Sequence, residues 1–288
     1  MLAKKRVVFQ GEPGANSHIA CLEVFPDGEP VPQPTFEDCF QTLSAGEADL
    51  GMIPIENSLA GRVADIHHLL PTSDLSIIGE HFLPVHHQLL GVRGARLEEL
   101  EIVQSHVQAL GQCRRFIRKL GVSPEVAADT AGSARYVAEL GDPKRGALAS
   151  RLAAEIYGLD ILKADVEDES HNTTRFVILS REAKRAPAKN GPVITSFIFR
   201  VRNVPAALYK AMGGFATNGI NMTKLESYQL DGRFVATMFY ADVEGHPDDP
   251  PVARALEELR FFCTELKILG AYPASPYRAE ANSAPEIS

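Results

Sequence analysis

Short apolar runs alternate with amphipathic stretches over most of the chain, the pattern of an α/β protein. Arg6-Val-Val-Phe-Gln10 reads as a buried strand, Gly11-Glu-Pro-Gly14 as a turn, and Asn16-Ser17 as the opening of a helix to about Phe25. Phe36, Phe40 and Leu43 recur at helical spacing and predict a helix over Phe36–Ala45. Ala48–Ile55 reads as a strand, and a second helix covers Val63–Leu70. Leu75–Val92 is apolar and extended and predicts one long crossing between two lobes. Strands are expected at Glu101–Gln104, Glu125–Ala128, Gly146–Ala149, Asp160–Val166 and Phe176–Leu179. Helices are expected at Thr130–Leu140 and Arg151–Tyr157, and Leu110, Cys113, Ile117 and Leu120 share one side of another.

The pattern changes after Arg181. The stretch Arg181–Pro192 is charged, rich in Pro, Ala and Gly, and without apolar period, so it reads as a linker. Beyond it stand a strand Val193–Val201, a helix Pro205–Thr217, strands Ile220–Gln229 and Arg233–Val243, a helix Asp248–Phe262 and a strand Glu265–Ala271. Leu230-Asp-Gly-Arg233 supplies a hairpin turn. This is the ferredoxin-like βαββαβ order. Residues from about Ser275 to Ser288 lack apolar content and are expected to be disordered. The expected division is therefore 1–182, a linker 183–192, a second domain 193–274 and a tail 275–288.

Length and charge narrow the function. A chain of 288 residues with 45% apolar content suits two cores. The net charge of −8 and the lack of a basic stripe argue against nucleic acid. No apolar run is long enough for a signal or a membrane span, so no membrane partner is expected. Cys21, Cys39, Cys113 and Cys263 are far apart, fit no metal spacing and read as reduced thiols of a cytoplasmic protein. The pairs His67-His68 and His86-His87 diverge whether on a strand or a helix, so no metal is expected.

Chemistry gathers where apolar strands meet polar clusters, as ligands do in open α/β sheets. Glu56-Asn57-Ser58 follows one strand and Ser105-His106-Val107-Gln108 another. The run Asn172-Thr173-Thr174-Arg175-Phe176 opens a third, with an amide, hydroxyls and a guanidinium fork suited to a carboxylate. The bland alternatives are a backbone-bonded Thr174 and an ion pair between Arg175 and an acid such as Glu169. The Gly11–Gly14 turn with Ser17 offers free N–H groups to an anion, although it is not the dinucleotide fingerprint.

The pieces Gly11-x-x-Gly14-Ala-Asn-Ser17, Pro54-Ile-Glu-Asn-Ser58, Ser105-His-Val-Gln-Ala-Leu110 and Asn172-x-Thr-Arg-Phe176, followed by a βαββαβ module, resemble the prephenate dehydratase family from about residue 5 to 272. The resemblance implies an α/β fold: a two-lobed, type II periplasmic-binding-protein-like catalytic domain plus a C-terminal ferredoxin-like ACT domain. It implies decarboxylating dehydration of prephenate to phenylpyruvate, in phenylalanine biosynthesis, with no cofactor. The corresponding catalytic residues here are Thr174, Glu56, Asn57, Ser105 and Gln108. The substrate-binding residues are Ser17, Ser58, His106, Asn172, Arg175 and Phe176. Glu56 or His106 is a candidate proton donor. L-Phenylalanine is the implied effector, near Ala206, Ala207, Leu208, Asn221, Glu226 and Ser227, in a homodimer or homotetramer formed through ACT domains. Val107 stands where the family commonly has Pro, and Tyr228-Gln229 stand where it has Arg-Pro. Arogenate is the alternative substrate, and a non-catalytic amino-acid sensor is the alternative class.

Overall fold

The computed structural model describes residues 4–187, 191–202, 204–229 and 236–283. The chain forms two compact units, residues 1–63 with 82–176 and residues 64–81 with 177–288.

The first unit is built on two sheets. Strand β1 (Arg6–Gln10) lies between β2 (Glu29–Gln33) and β3 (Leu50–Asn57), parallel to both. Helix α1 (Asn16–Val24) joins β1 to β2, and α2 (Phe36–Ala45) joins β2 to β3, since parallel neighbours need a crossover. Val7, Val8 and Phe9 are all buried, as expected of a parallel strand covered on both faces. Strand β2, which contains Pro30 and Pro32, was not predicted. It is the edge strand. The N–H of Glu29 faces β1, reaching the Lys5 carbonyl at 2.8 Å. Pro30 and Pro32 lie one and three residues on, so each falls where the missing N–H would point outward.

Strand β4 (Gly61–Arg62) pairs with the end of β3. The second unit's α3 (Ile66–Thr72) follows. The stretch 75–92 is extended and passes from one sheet to another, as two strands, β5 (Ser76–Pro84) and β6 (Gln88–Gly91). The second sheet has the order β10-β6-β9-β7-β8. Its members are β7 (Ile102–His106), β8 (Ser123–Ala127), β9 (Arg145–Ala149), β10 (Asp160–Lys163) and β6. The single helix expected after β7 breaks at Cys113 into α4 (Val107–Gln112) and α5 (Arg114–Leu120). Helices α6 (Thr130–Leu140) and α7 (Arg151–Tyr157) fall where predicted, capped by the side chains of Asp129 and Ser150 and closed by left-handed Gly141 and Gly158. Leu89, Val103, Ile117 and Leu148 fill this sheet's core. Strand β11 (Thr173–Ser180) returns to the first sheet, whose order is β2-β1-β3-β11-β5. Residues 173–176 of β11 and 82–84 of β5 belong to the first unit.

The second unit holds β12 (Val193–Val201), α8 (Ala207–Thr217), β13 (Met222–Gln229), β14 (Ala236–Glu244), α9 (Pro250–Phe262) and β15 (Cys263–Pro273). The sheet is antiparallel in the order β13-β14-β12-β15, the arrangement expected of a βαββαβ module. The expected hairpin turn at Leu230–Arg233 lies outside the described residues. Alternate residues Phe197, Phe199 and Val201 pack with Phe215, Phe239, Leu256 and Leu259 under the helices. On the opposite face Ser196 bonds Tyr272 at 2.7 Å and also bonds Asp242, all buried.

Segment 64–81 packs in the same unit. Lys267 donates to the Pro71 carbonyl at 3.2 Å and to that of Ser73. The tail was expected to be disordered from about Ser275, yet it carries α10 (Tyr277–Ser283). Arg278 grips the fully buried Glu80 carboxylate at 2.7 and 2.8 Å. A long-range ion pair thus ties this helix to segment 64–81. Gly270 passes against segment 64–81 so closely that an added Cβ would lie 2.0 Å from the Ile77 carbonyl oxygen. Gly270→Ala is therefore expected to cost about 1–3 kcal/mol, seen as a lower urea midpoint. Gly213, where nothing lies within 4 Å of an added Cβ, serves as the control position.

Candidate active site

The end of β3 meets the start of β11 in the first unit. The Ser58 N–H donates to the Thr173 carbonyl at 2.9 Å. The Ser58 hydroxyl donates to the His171 carbonyl at 2.8 Å and accepts the Thr173 N–H at 2.9 Å. These bonds hold Asn57 opposite Asn172 and Thr174.

The orientation of the Asn57 amide follows from its backbone. Its Oδ1 accepts N–H groups from Leu59 at 3.0 Å and Ala60 at 2.8 Å. Nδ2 must then point the other way, and it donates to Asn172 Oδ1 at 2.7 Å and Thr174 Oγ1 at 2.9 Å. With its oxygen used, Asn172 presents Nδ2 to Gln112 Oε1 at 3.0 Å. The same oxygen faces His87 Nε2 at 2.8 Å. Since Gln112 Oε1 only accepts, His87 carries its proton on Nε2. Burial pushes the His87 pKa below the ordinary histidine value, in keeping with a neutral ring.

One consequence concerns Thr174. Its oxygen already accepts from Asn57, and among the described residues no acceptor takes its proton. Thr174 is half-buried, so this O–H can donate to a bound molecule.

Arg175 is arranged differently. Strand β11 begins at Thr173, so Thr174 and Arg175 lie inside the strand rather than at its mouth, and successive side chains face opposite sides. The same alternation separates Asn57 from Glu56 on β3. Asn57 joins Thr174 and Asn172, while Glu56 joins Arg175. The Arg175 side chain is 2% exposed, donates to Glu56 Oε1 at 2.8 Å and stands over the Phe82 ring at 5.9 Å. Glu169, the acid proposed from sequence as an ion-pair alternative, bonds Arg115 at 2.9 Å instead.

The other sequence-predicted residues take separate places. Ser17 is the second residue of α1 and is buried. Ser105 is fully buried, and its hydroxyl donates to the Leu148 carbonyl at 2.7 Å. His106 caps α4 by accepting the Gln108 N–H at 3.3 Å, and Gln108 is exposed. Phe176 lies in the core at 1% exposure. Among the described residues no hydrogen bond joins Ser17, Ser105, His106 or Gln108 to the Asn57 cluster. Of the two residues that do join it, Gln112 was not singled out from sequence and His87 was weighed only as a metal ligand. Gln112 lies four residues after Gln108, on the same helix face, and that spacing was the available signal. The adjacent histidines do diverge: His86 Nδ1 lies 2.7 Å from Glu167 Oε1, whereas His87 turns to Gln112. His86, Asp165 and Glu167 bring ligand-type atoms within 4.8 Å of one another. In the second unit Ala206 holds a left-handed conformation at the start of α8, and Glu226 meets Lys224 at 3.4 Å on β13.

The prephenate dehydratase family model matches residues 7–184. The chain belongs to the prephenate dehydratase family. A bifunctional N-acyl-homoserine lactone acylase/prephenate dehydratase of Komagataeibacter europaeus is 50% identical, over 96% of this chain and 99% of that protein. Arogenate dehydratase/prephenate dehydratase 1 of Arabidopsis thaliana is 40% identical, over 94% of this chain and 72% of that protein. A crystal structure of prephenate dehydratase from Arthrobacter aurescens in complex with L-Phe superposes with a TM-score of 0.86 at 27% identity. It covers 96% of this chain and 97% of that one. The family is one of hydro-lyases, and all of the Asn57 cluster falls inside the matched residues.

His87 is expected to carry its proton on Nε2 when neutral and to titrate below a free histidine. A pH series of imidazole ¹⁵N–¹H correlations checks this, and titration at or above the free value would contradict it. The unfolded chain accepts a proton near about pH 6.5 that folded His87 resists. His87 therefore lowers stability progressively as pH falls below that value.

Proposed function

We propose that the protein is a prephenate dehydratase, converting prephenate to phenylpyruvate with loss of carbon dioxide and water. The observation that carries this reading is the Thr174 hydroxyl, whose oxygen accepts from Asn57 and whose proton is left for a ligand, in a chain of this family. Prephenate has a ring carboxylate and a ring hydroxyl. As the carbon–carboxylate bond breaks and carbon dioxide leaves, its electron pair enters the ring and expels hydroxide, which takes up one proton from the medium to become water. The ring becomes aromatic, so the step is strongly downhill and needs positioning more than an electron sink. Thr174 donates a hydrogen bond to the departing oxygen, and Asn57 and Asn172 orient Thr174. A donor of this kind is worth about 2.7–4 kcal/mol. Glu56 serves as the anionic partner of Arg175. Ser17, His106 and Gln108 are proposed to reach the substrate directly, and Ser58, Ser105, Arg175 and Phe176 to hold the strands that carry the site.

In this reading residues 1–182 are the catalytic domain, 183–192 the linker and 193–274 an ACT domain of a cytoplasmic enzyme. Phenylalanine binds near Ala206, Ala207, Leu208, Asn221, Glu226 and Ser227, and ACT domains associate in a homodimer or homotetramer. The complex of the Arthrobacter aurescens relative with L-Phe supports this effector. No helix among the described residues is long and apolar enough to cross a membrane.

Purified protein is expected to form phenylpyruvate from prephenate, and Thr174→Val to lower kcat about 10²–10³-fold while the melting temperature stays within a few degrees. No product from the parent protein would overturn the reading. The Arabidopsis relative's name keeps arogenate as the second substrate, and kcat/KM measured for both compounds decides between them. The Komagataeibacter relative's name adds N-acyl-homoserine lactones as a further compound to assay. Separately, added L-phenylalanine is expected to raise the melting temperature and change prephenate turnover. If it changes neither, the regulatory proposal fails.

A further inference from the structure

The turn Gly11–Gly14 belongs to the first sheet's side of the first unit, yet it is fastened to helices of the second sheet. Glu12 receives two bonds from Arg135 of α6, Nε at 2.7 Å and an Nη at 2.9 Å. Arg135 is steadied by Glu139 one turn along α6, at 3.0 Å. The Pro13 carbonyl accepts the Tyr157 hydroxyl at 2.9 Å, and the Gly14 carbonyl accepts the Ser150 hydroxyl at 2.5 Å. Gly14 has φ +94°, and an added Cβ there would lie 2.7 Å from Ala153 Cα on α7. Four consecutive features of one short loop thus meet α6 and α7. The next residues after Gly14 open α1, which carries Ser17.

We infer that Glu12 and Arg135 are positioning residues that hold the two lobes of the catalytic domain together across this loop, and so favour the arrangement that binds substrate. The remaining contacts are a backbone approach and two hydroxyl bonds, which hold the loop in place. The Glu12–Arg135 fork is the charged and therefore tunable part. Both side chains are partly exposed, at 32% and 44%, and border an open cavity of about 430 Å³. Salt can reach the pair, so its worth is that of a surface pair with good bidentate geometry. A protein that must first adopt its binding-competent arrangement shows an affinity reduced by the fraction not in it. Loss of the pair therefore raises KM and leaves kcat in place. Neither residue touches the Asn57–Thr174 cluster in any hydrogen bond among the described residues.

The inference rests on the dehydratase reading, and the experiment separates the two. Glu12→Gln and Arg135→Ala are each expected to raise KM for prephenate about two- to fivefold, with kcat within about twofold of the parent. The charge-swapped double variant E12R/R135E is expected to bring KM back within about twofold. Raising salt from about 0.05 to about 0.5 M should raise the parent's KM and leave that of Glu12→Gln unmoved. Hydrogen exchange of residues 11–17, measured without substrate, should quicken in both single variants and recover in the swap. Parental KM and exchange in the single variants overturns the inference, as does a swap no better than the worse single variant. An inactive parent overturns the dehydratase reading instead, and hydrogen exchange then still decides whether the pair holds the loop. Glu12→Gln is nearly isosteric, so the comparison survives if Arg135→Ala does not fold.

Discussion

The amide of Asn57 is the fixed point of the site. A carboxamide has one accepting and one donating end, so capturing its oxygen decides where its hydrogens go. The Leu59 and Ala60 N–H groups make that capture in the turn after β3. From there the polarity of each neighbour is forced: Asn172 accepts from Asn57 and donates onward, and Gln112 accepts from both Asn172 and His87. Asn172 and His87 are 2% and 4% exposed. Buried polar groups of this kind stabilise only when every partner is present. The network therefore ties β3, β11, α4 and the chain at His87 into one arrangement, and among the described residues no acceptor takes the Thr174 hydroxyl proton.

Strand alternation divides the site into a neutral side and a charged side. Asn57, Asn172 and Thr174 share amide and hydroxyl bonds, while Glu56 and Arg175, one residue along each strand, form an ion pair. Arg175 is almost wholly buried and lies over Phe82. Removing one member of such a pair leaves a charge stranded in a poor solvent, which is far costlier than removing both. The guanidinium on β11 thus has a structural partner of its own, whereas the hydroxyl beside it joins the amide side of the site. An oxygen that accepts a hydrogen bond becomes a better donor through its own proton, so Asn57 both aims and polarises Thr174.

What could be read beforehand depended on whether the deciding contacts were local. Helix α6 begins at an Asp129 cap and ends at Gly141, signals carried within its own turn, and it falls at Thr130–Leu140 as expected. Strand β12 shows its period of two in Phe197, Phe199 and Val201 and was equally legible. Strand β2 was not, because two prolines disguise an edge strand whose outward positions need no donor. The division of α4 from α5 at Cys113 was hidden by apolar spacing that continues through it. Helix α10 was hidden because Arg278 finds Glu80 almost two hundred positions earlier.

The sequence by itself determined the α/β order, the βαββαβ module and the polar clusters at strand ends, since periodicity, caps and turn residues act over a few neighbours. It also placed Asn57 and Thr174 among the residues of interest. Only the tertiary structure decided that they touch, that Arg175 turns away to Glu56, and that Gln112 and His87 complete the network. Asn57 and Asn172 are 115 positions apart. Contacts at such separations are set by how strands pair and lobes pack, and a side chain's hydrogen-bond direction is settled only once its partners are in place.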